Sequence, residues 1–364
     1  MKTCNFIIFS HYSNILFRSS FKSLYIFNKI NNLRNYNTMK EKNNCLIETD
    51  ELHSLIKNKK EYLLFDTSYY NLYPKSNEMD SDYDKIEKIK GSIPFDSRVT
   101  SNENPNFSFF FPEESEFFNY LKELLIKNQT IIGNSLENIP IIFYEKDEIF
   151  YAPRVWFMFK IFGFKNLKIL NGGLNKWLCE KKEVIYEKKN NVQLKDNAKI
   201  NKIKNIIEDH LKNNRDAIDN RKKNIYHYLD IKRLIESKKN KQMKNYILVD
   251  TRSNKTFSSL IQLNENKKVN NHIPFSINIP YSYFLNYHDE NFKYVTFKNE
   301  LEIKNIYDKY DLLNDEKIII STCNKGVTAC ILLFLLHLLN KPFSKLILNQ
   351  GSMVEYKYNE YNIK

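Results

Sequence analysis

The residues best placed to do chemistry lie together near the C-terminal end: Ser321-Thr322-Cys323-Asn324-Lys325-Gly326-Val327-Thr328-Ala329-Cys330. Ile318-Ile319-Ile320 leads in, and an apolar stretch over 331–339 follows. This reads as strand, loop and helix, with a thiol at the switch. A loop wrapped at a helix N-terminus points backbone N–H groups inward, and a cysteine held there tends towards thiolate, the nucleophilic form. Lys325 adds a positive charge two residues on. Cys330 is the contrast: it sits inside the apolar helix and reads as a small inert hydrophobe.

The frame around Cys323 occurs twice. Asp66 and Asp250 each close an apolar run, at an offset of 250 − 66 = 184. Lys88-Ile89-Lys90-Gly91-Ser92-Ile93-Pro94 resembles the stretch from His272 to Pro280, again offset by 272 − 88 = 184. Ile141-Ile142-Phe143-Tyr144-Glu145 aligns with Ile319-Ile320-Ser321-Thr322-Cys323 at 323 − 145 = 178. Asn171-Gly172-Gly173-Leu174-Asn175-Lys176-Trp177 aligns with Gln350-Gly351-Ser352-Met353-Val354-Glu355-Tyr356 at 356 − 177 = 179. Four landmarks in one order imply two domains of one fold. Of seven glycines, only Gly133 falls away from these landmarks, as expected if glycine is kept where the backbone needs it. The chemistry is not repeated. Glu145 stands where the second copy has Cys323, so one copy at most does thiol chemistry. Glu145 itself is expected to be a solvated loop residue.

The elements that must hold these residues follow from periodicity. A leader or tail covers 1–44, the first domain 45–184, a lysine- and asparagine-rich connector 185–224 and the second domain 225–358. In the first domain, helices are predicted over 49–56, 117–126 and 153–162 and strands over 62–65, 139–144 and 167–170, with a polar loop over 71–90. Strands alternating with helices predict an α/β fold with a parallel sheet covered on both faces. Within the connector, 203–211 reads as helical and the rest as irregular. His272 reads as structural, and Asp250 and Arg252 as anchors of a strand end.

The chain has 364 residues and a formal charge of +13. Its lysines are interleaved with asparagine and form no stripe, which argues against nucleic-acid binding. Five cysteines without framework spacing argue against a disulfide scaffold, and no His/Cys cluster suggests a metal. No apolar stretch reaches the roughly 18 residues of a membrane span. Residues 1–40 contain six basic residues and no Asp or Glu. That composition reads as a mitochondrial transit segment, or as a tail or leader before Met39, with a cytoplasmic protein as the alternative.

Four segments are similar to the two-domain rhodaneses, the thiosulfate and 3-mercaptopyruvate sulfurtransferases: Ile89 to Asp96, Tyr151-Ala152-Pro153-Arg154-Val155-Trp156-Phe157-Met158-Phe159, Leu170-Asn171-Gly172-Gly173-Leu174, and the loop from Cys323 to Cys330. The resemblance covers 45–184 and 225–358. It implies two tandem rhodanese-like domains, each an open parallel sheet with helices on both faces, the first catalytically silent. It implies a persulfide on Cys323, with Asn324, Lys325, Gly326, Val327, Thr328 and Lys176 as substrate-binding residues and no cofactor or metal. The implied partners are a small anionic sulfur donor and a thiol, cyanide or protein acceptor, with a thioredoxin-like reductant and a monomeric chain. Lys325 leans towards thiosulfate, because the mercaptopyruvate enzymes carry Gly-Ser after the cysteine. Asn175 stands where many members have a substrate-binding arginine, Gln350 where they have Asp, and Phe275-Ser276 where they have Gly-Ala. Two other classes bear on the loop. A phosphatase needs arginine six residues after the cysteine, and Ala329 stands there. A non-turnover persulfide carrier, or sulfur-relay binding module, needs the same cysteine without turnover.

Overall fold

The structure, a computed structural model, describes residues 44–68, 86–98, 107, 109–128, 130, 133, 135–187, 196–239, 245–289 and 293–363. The leader, apart from Asn44, and most of the polar loop lie outside these residues. Cys45–Lys364 is one compact unit.

The first sheet is built from Leu46–Ile47 (β1), Leu63–Asp66 (β2), Ser92–Pro94 (β3), Ile141–Tyr144 (β4) and Leu167–Leu170 (β5). The second uses Ile225–Tyr226 (β6), Tyr246–Asp250 (β7), Ile277–Asn278 (β8), Ile318–Thr322 (β9) and Leu346–Asn349 (β10). Their orders are β1-β5-β4-β2-β3 and β6-β10-β9-β7-β8. Every pairing within them is parallel. The two topologies are identical, as the four-landmark repeat requires. Cys323 and Glu145 each leave the carboxyl end of the middle strand, where open parallel sheets place their ligands.

Central strands such as β2 and β4 are buried along their whole length because helices cover both faces, so they read as continuous apolar runs. On the outer face of the first sheet, Leu64, Ile142 and Leu170 meet Leu52 of helix α1 (Thr49–Lys57) and Trp177 of the helix Gly173–Cys179. On the inner face, Phe65, Phe143 and Ile169 join a core that continues into the second domain through Val249, Ile319 and Leu348. Helices α2 (Glu114–Lys127) and α3 (Tyr151–Ile161) and, in the second domain, the helix Ala329–Leu338 fill that shared core. Trp156 meets Phe334 edge-on across it, with ring centroids 5.1 Å apart.

Numbering on, the helix Gly173–Cys179 is α4, Asn197–Lys222 is α5, Tyr228–Lys239 is α6, Glu300–Asp308 is α7, Ala329–Leu338 is α8 and Ser352–Tyr361 is α9. Helix α5 corrects the reading of the connector, which is a continuous helix well beyond 203–211. Asp196 caps it by accepting from Ala198 N–H and Lys199 N–H. Ile203, Ile206, Ile207 and Ile218 lie on one face and enter the shared core. A four-isoleucine stripe at helical spacing is enough to anchor an otherwise polar helix. The end of the supposed polar loop is also ordered: Ile86–Ile89 pairs antiparallel with Val184–Glu187. The turn at Phe275 keeps a left-handed backbone, φ 65°, although glycine is gone, so a bulky residue carries the strain there.

Candidate functional site

Cys323 leaves β9 into a loop that closes on itself. The Gly326 N–H points at Cys323 Sγ, 3.1 Å away. Gly326 has φ +77°, and a Cβ there would run into the carbonyl oxygen of Gln350, so the tight return needs glycine. Helix α9 clasps the loop from outside. Ser352 Oγ accepts from Cys323 N–H at 3.0 Å, Met353 N–H donates to Cys323 O at 3.2 Å, and Val354 N–H donates to Asn324 O at 3.0 Å. Helix α8 begins directly behind, so its N-terminal dipole faces the thiol. Cys323 is only 2% exposed.

The expected binding residues take different positions. Asn324 and Lys325 are exposed, Gly326 is buried, and Val327 and Thr328 are partly covered. Thr328 Oγ1 lies 3.3 Å from Thr251 Oγ1, which in turn donates to Thr322 O. Lys325 lines a cleft with Gln350, Gly351 and Val354 of its own domain and Phe107, Phe109 and Phe110 of the first. Its Nζ stands 5.7 Å from the centre of the Phe109 ring. The cleft therefore combines an exposed cation with an aromatic wall. Lys176 is placed elsewhere: its Nζ pairs with Glu48 Oε2 at 2.5 Å, in the helix that follows β5 beside the Glu145 loop. Asn175 donates to Lys293 O at 2.7 Å and Asp147 Oδ1 at 3.1 Å.

The first domain rebuilds this loop around a carboxylate. Leu174 N–H donates to Glu145 O at 2.8 Å, as Met353 does to Cys323, and Asn175 N–H donates to Lys146 O, as Val354 does to Asn324. Glu145 is not solvated, contrary to expectation, but buried. Its Oε1 accepts from Phe150 N–H at 2.9 Å and Ala152 N–H at 2.6 Å. Burial raises the carboxyl to about 8, against the pull of those amides. The loop that in the second domain surrounds Cys323 here encloses its own carboxyl, which occupies the backbone amides of Phe150 and Ala152.

Flanking residues behave as structural parts. Arg252 forks onto Asp250, with Nη2 to Oδ2 at 2.6 Å, and also reaches Asn271 O at 2.6 Å. His272 stacks on Phe257 at 4.2 Å between ring centres and lies 2.9 Å from its carbonyl oxygen. Among the described residues, no group of His, Cys, Asp or Glu could hold a metal ion, and no helix is long and apolar enough to cross a membrane. Sequence reasoning assigned no role to Arg154, which is buried against Phe109 and Phe111, or to Gln350, whose partner Phe111 comes from the other domain.

Comparison with known proteins places this architecture. The description "Rhodanese-like domain" matches residues 48–180 and 230–359. The chain is 28% identical over 283 residues to thiosulfate sulfurtransferase of Gallus gallus, covering 77% of this chain and 81% of that one. It is 26% identical over 269 residues to 3-mercaptopyruvate sulfurtransferase of Mus musculus, covering 74% and 76%. In fold it resembles the 3-mercaptopyruvate sulfurtransferase of Escherichia coli, with a TM-score of 0.57, 21% identity and coverage of 85% and 99%. With both halves matched and both loops built alike, the chain belongs to the rhodanese family as a tandem of two rhodanese-like domains.

Proposed function

We propose that the protein is a sulfurtransferase that carries sulfur on Cys323, with thiosulfate as the donor. The observation that carries this reading is the Gly326 N–H aimed at Cys323 Sγ, 3.1 Å away, inside a loop at the start of α8. The same donor that steadies a thiolate can steady the terminal sulfur anion that replaces it. Thiosulfate enters the cleft beside Lys325. The Cys323 thiolate attacks its outer sulfur, a Cys–S bond forms, and the S–S bond of the donor breaks. Sulfite leaves with the electron pair and Cys323 is left as a persulfide anion. Cyanide, a thiol or a thioredoxin-like protein then attacks the outer sulfur and returns the thiolate. The protein acts as a monomer and is delivered to mitochondria by residues 1–44. The two-step scheme predicts double-displacement kinetics.

Named relatives of both donor types support the chemistry, and Lys325 favours thiosulfate over 3-mercaptopyruvate. The test is a mass spectrum after thiosulfate treatment, which should show one added sulfur on Cys323. Cys323→Ser should lose at least about a thousandfold in turnover; full activity in that variant would sink the mechanism. Persulfide formation without turnover to cyanide or thiols would favour a carrier instead.

A further inference from the structure

Arg154 is in the first turn of α3, in the silent domain, and is fully buried. Its Nε donates to Ser97 O at 3.2 Å. Neither terminal nitrogen, Nη1 or Nη2, has a hydrogen-bond partner among the described residues. Two rings hold the guanidinium, Phe111 at 4.5 Å and Phe109 at 5.5 Å from their centres. Burial lowers its pKa to about 10, so the charge survives at neutral pH. A buried cation with no ion pair is costly unless an anion faces it.

The titratable groups near enough to act on the charge of Arg154 are Cys330, Cys323 and Tyr151. Cys330 is the second residue of α8. Its Sγ donates to Gly326 O at 3.4 Å, and burial pushes its thiol far up. A phenol is likewise neutral at pH 7. Of the three, Cys323 is the one that the sulfur-carrying reading turns into an anion. Phe109 joins the two ends of the arrangement, because its ring also meets Lys325 at 5.7 Å.

We propose that Arg154 is the internal counter-cation of Cys323, a positioning residue supplied by the silent domain that favours first the thiolate and then the persulfide anion of the active one. It acts from behind the loop, through the first turn of α8, while Lys325 acts from the solvent side. This rests on reading Cys323 as the reacting thiol, but its test needs no sulfur donor.

The test is the rate at which iodoacetamide alkylates Cys323 in the intact protein, for wild type, Arg154→Lys, Arg154→Met and Arg154→Gln. Near pH 7 the Met and Gln variants should react about tenfold more slowly, and the Lys variant within about threefold of wild type. At about pH 10, where the thiol ionises unaided, all four rates should converge. A lost packing contact would slow the reaction at both pH values, and that result overturns the proposal, as does a folded neutral variant that matches wild type near pH 7. If both neutral variants fail to fold, thermal unfolding of wild type and Cys323→Ser decides. A thiol favoured as thiolate in the folded state adds stability above its unfolded pKa and loses it as pH falls through its folded one. Wild type should therefore gain on Cys323→Ser as pH rises towards the ordinary thiol range; parallel pH dependence in the two proteins overturns the proposal. Full turnover by Cys323→Ser would instead refute the sulfur-carrying reading, which the alkylation rates leave separate.

Discussion

The backbone N–H of Phe111, in the first domain, donates to the side-chain oxygen of Gln350, in the second, at 3.0 Å across 239 residues of chain. The reverse bond also exists: Phe297 N–H, in the second domain, donates to Asn171 Oδ1, in the first, at 3.0 Å. Gln350 and Asn171 are equivalent positions, each preceding the glycine that follows the last strand of its sheet. Each domain therefore lays a phenylalanine-bearing segment over the other domain's loop. Phe110 completes the lip over the Cys323 side by meeting His227 edge-on at 5.3 Å.

Gln350→Leu removes the acceptor from a buried backbone N–H. It should cost about 1–3 kcal/mol of stability, read by urea unfolding, and should raise KM for the donor because the Phe107–Phe110 wall loses its tether. Asn171→Leu should cost a similar amount while sparing KM. Equal effects of the two on KM would refute the assignment of the cleft.

Lys325→Ser removes the cation at the cleft mouth. With thiosulfate, kcat/KM should fall by about ten- to a hundredfold, about 1.4–2.7 kcal/mol of transition-state stabilisation. Activity with 3-mercaptopyruvate should rise. Steady-state assays with both donors check this, and an unchanged donor ratio would remove Lys325 from donor choice.

Gly326→Ala places a Cβ against the carbonyl of Gln350. The loop must open to admit it, which moves the N–H off Cys323 Sγ. Loss of about a hundredfold in turnover is expected from one misplaced donor, with the fold retained by circular dichroism.

Glu145 sets a pH dependence of stability. Its carboxyl is raised from an ordinary 4.5 to about 8 by burial, so between those values the folded protein holds more protons than the unfolded chain. Stability therefore falls as pH rises through that window. Glu145→Gln removes this dependence and should be more stable than wild type near pH 8, by up to a few kcal/mol, with a smaller difference near pH 5. Urea melts of both proteins at the two pH values measure it.

The strand, loop and helix around Cys323 were legible because 13 consecutive residues, 318–330, encode them locally. The duplicate fold was legible through residues fixed by backbone geometry, the strand-ending aspartates and the glycines. What escaped depended on distant partners. Glu145 looked solvated because its residue type usually is, yet the fold turns that position inward on amides from 150–152. Gln350 looked like a lost family residue and proved to be the acceptor for Phe111. Arg154 carried no local sign of its neighbours, Ser97, Phe109 and Phe111, which lie about 40 to 60 residues earlier in the chain. Helix α5 was hidden by composition, since its polar residues outnumber the isoleucines that anchor it.

The exchange of segments between the two loops bears on what this chain can afford to lose over evolution. A copy with Glu145 at the cysteine position carries no constraint from thiol chemistry at that loop. Here the first copy supplies Phe107, Phe109 and Phe110 to the cleft beside Lys325, so truncating it strips the second copy of that wall. The pair can drift in sequence only together, as two halves of one inheritance.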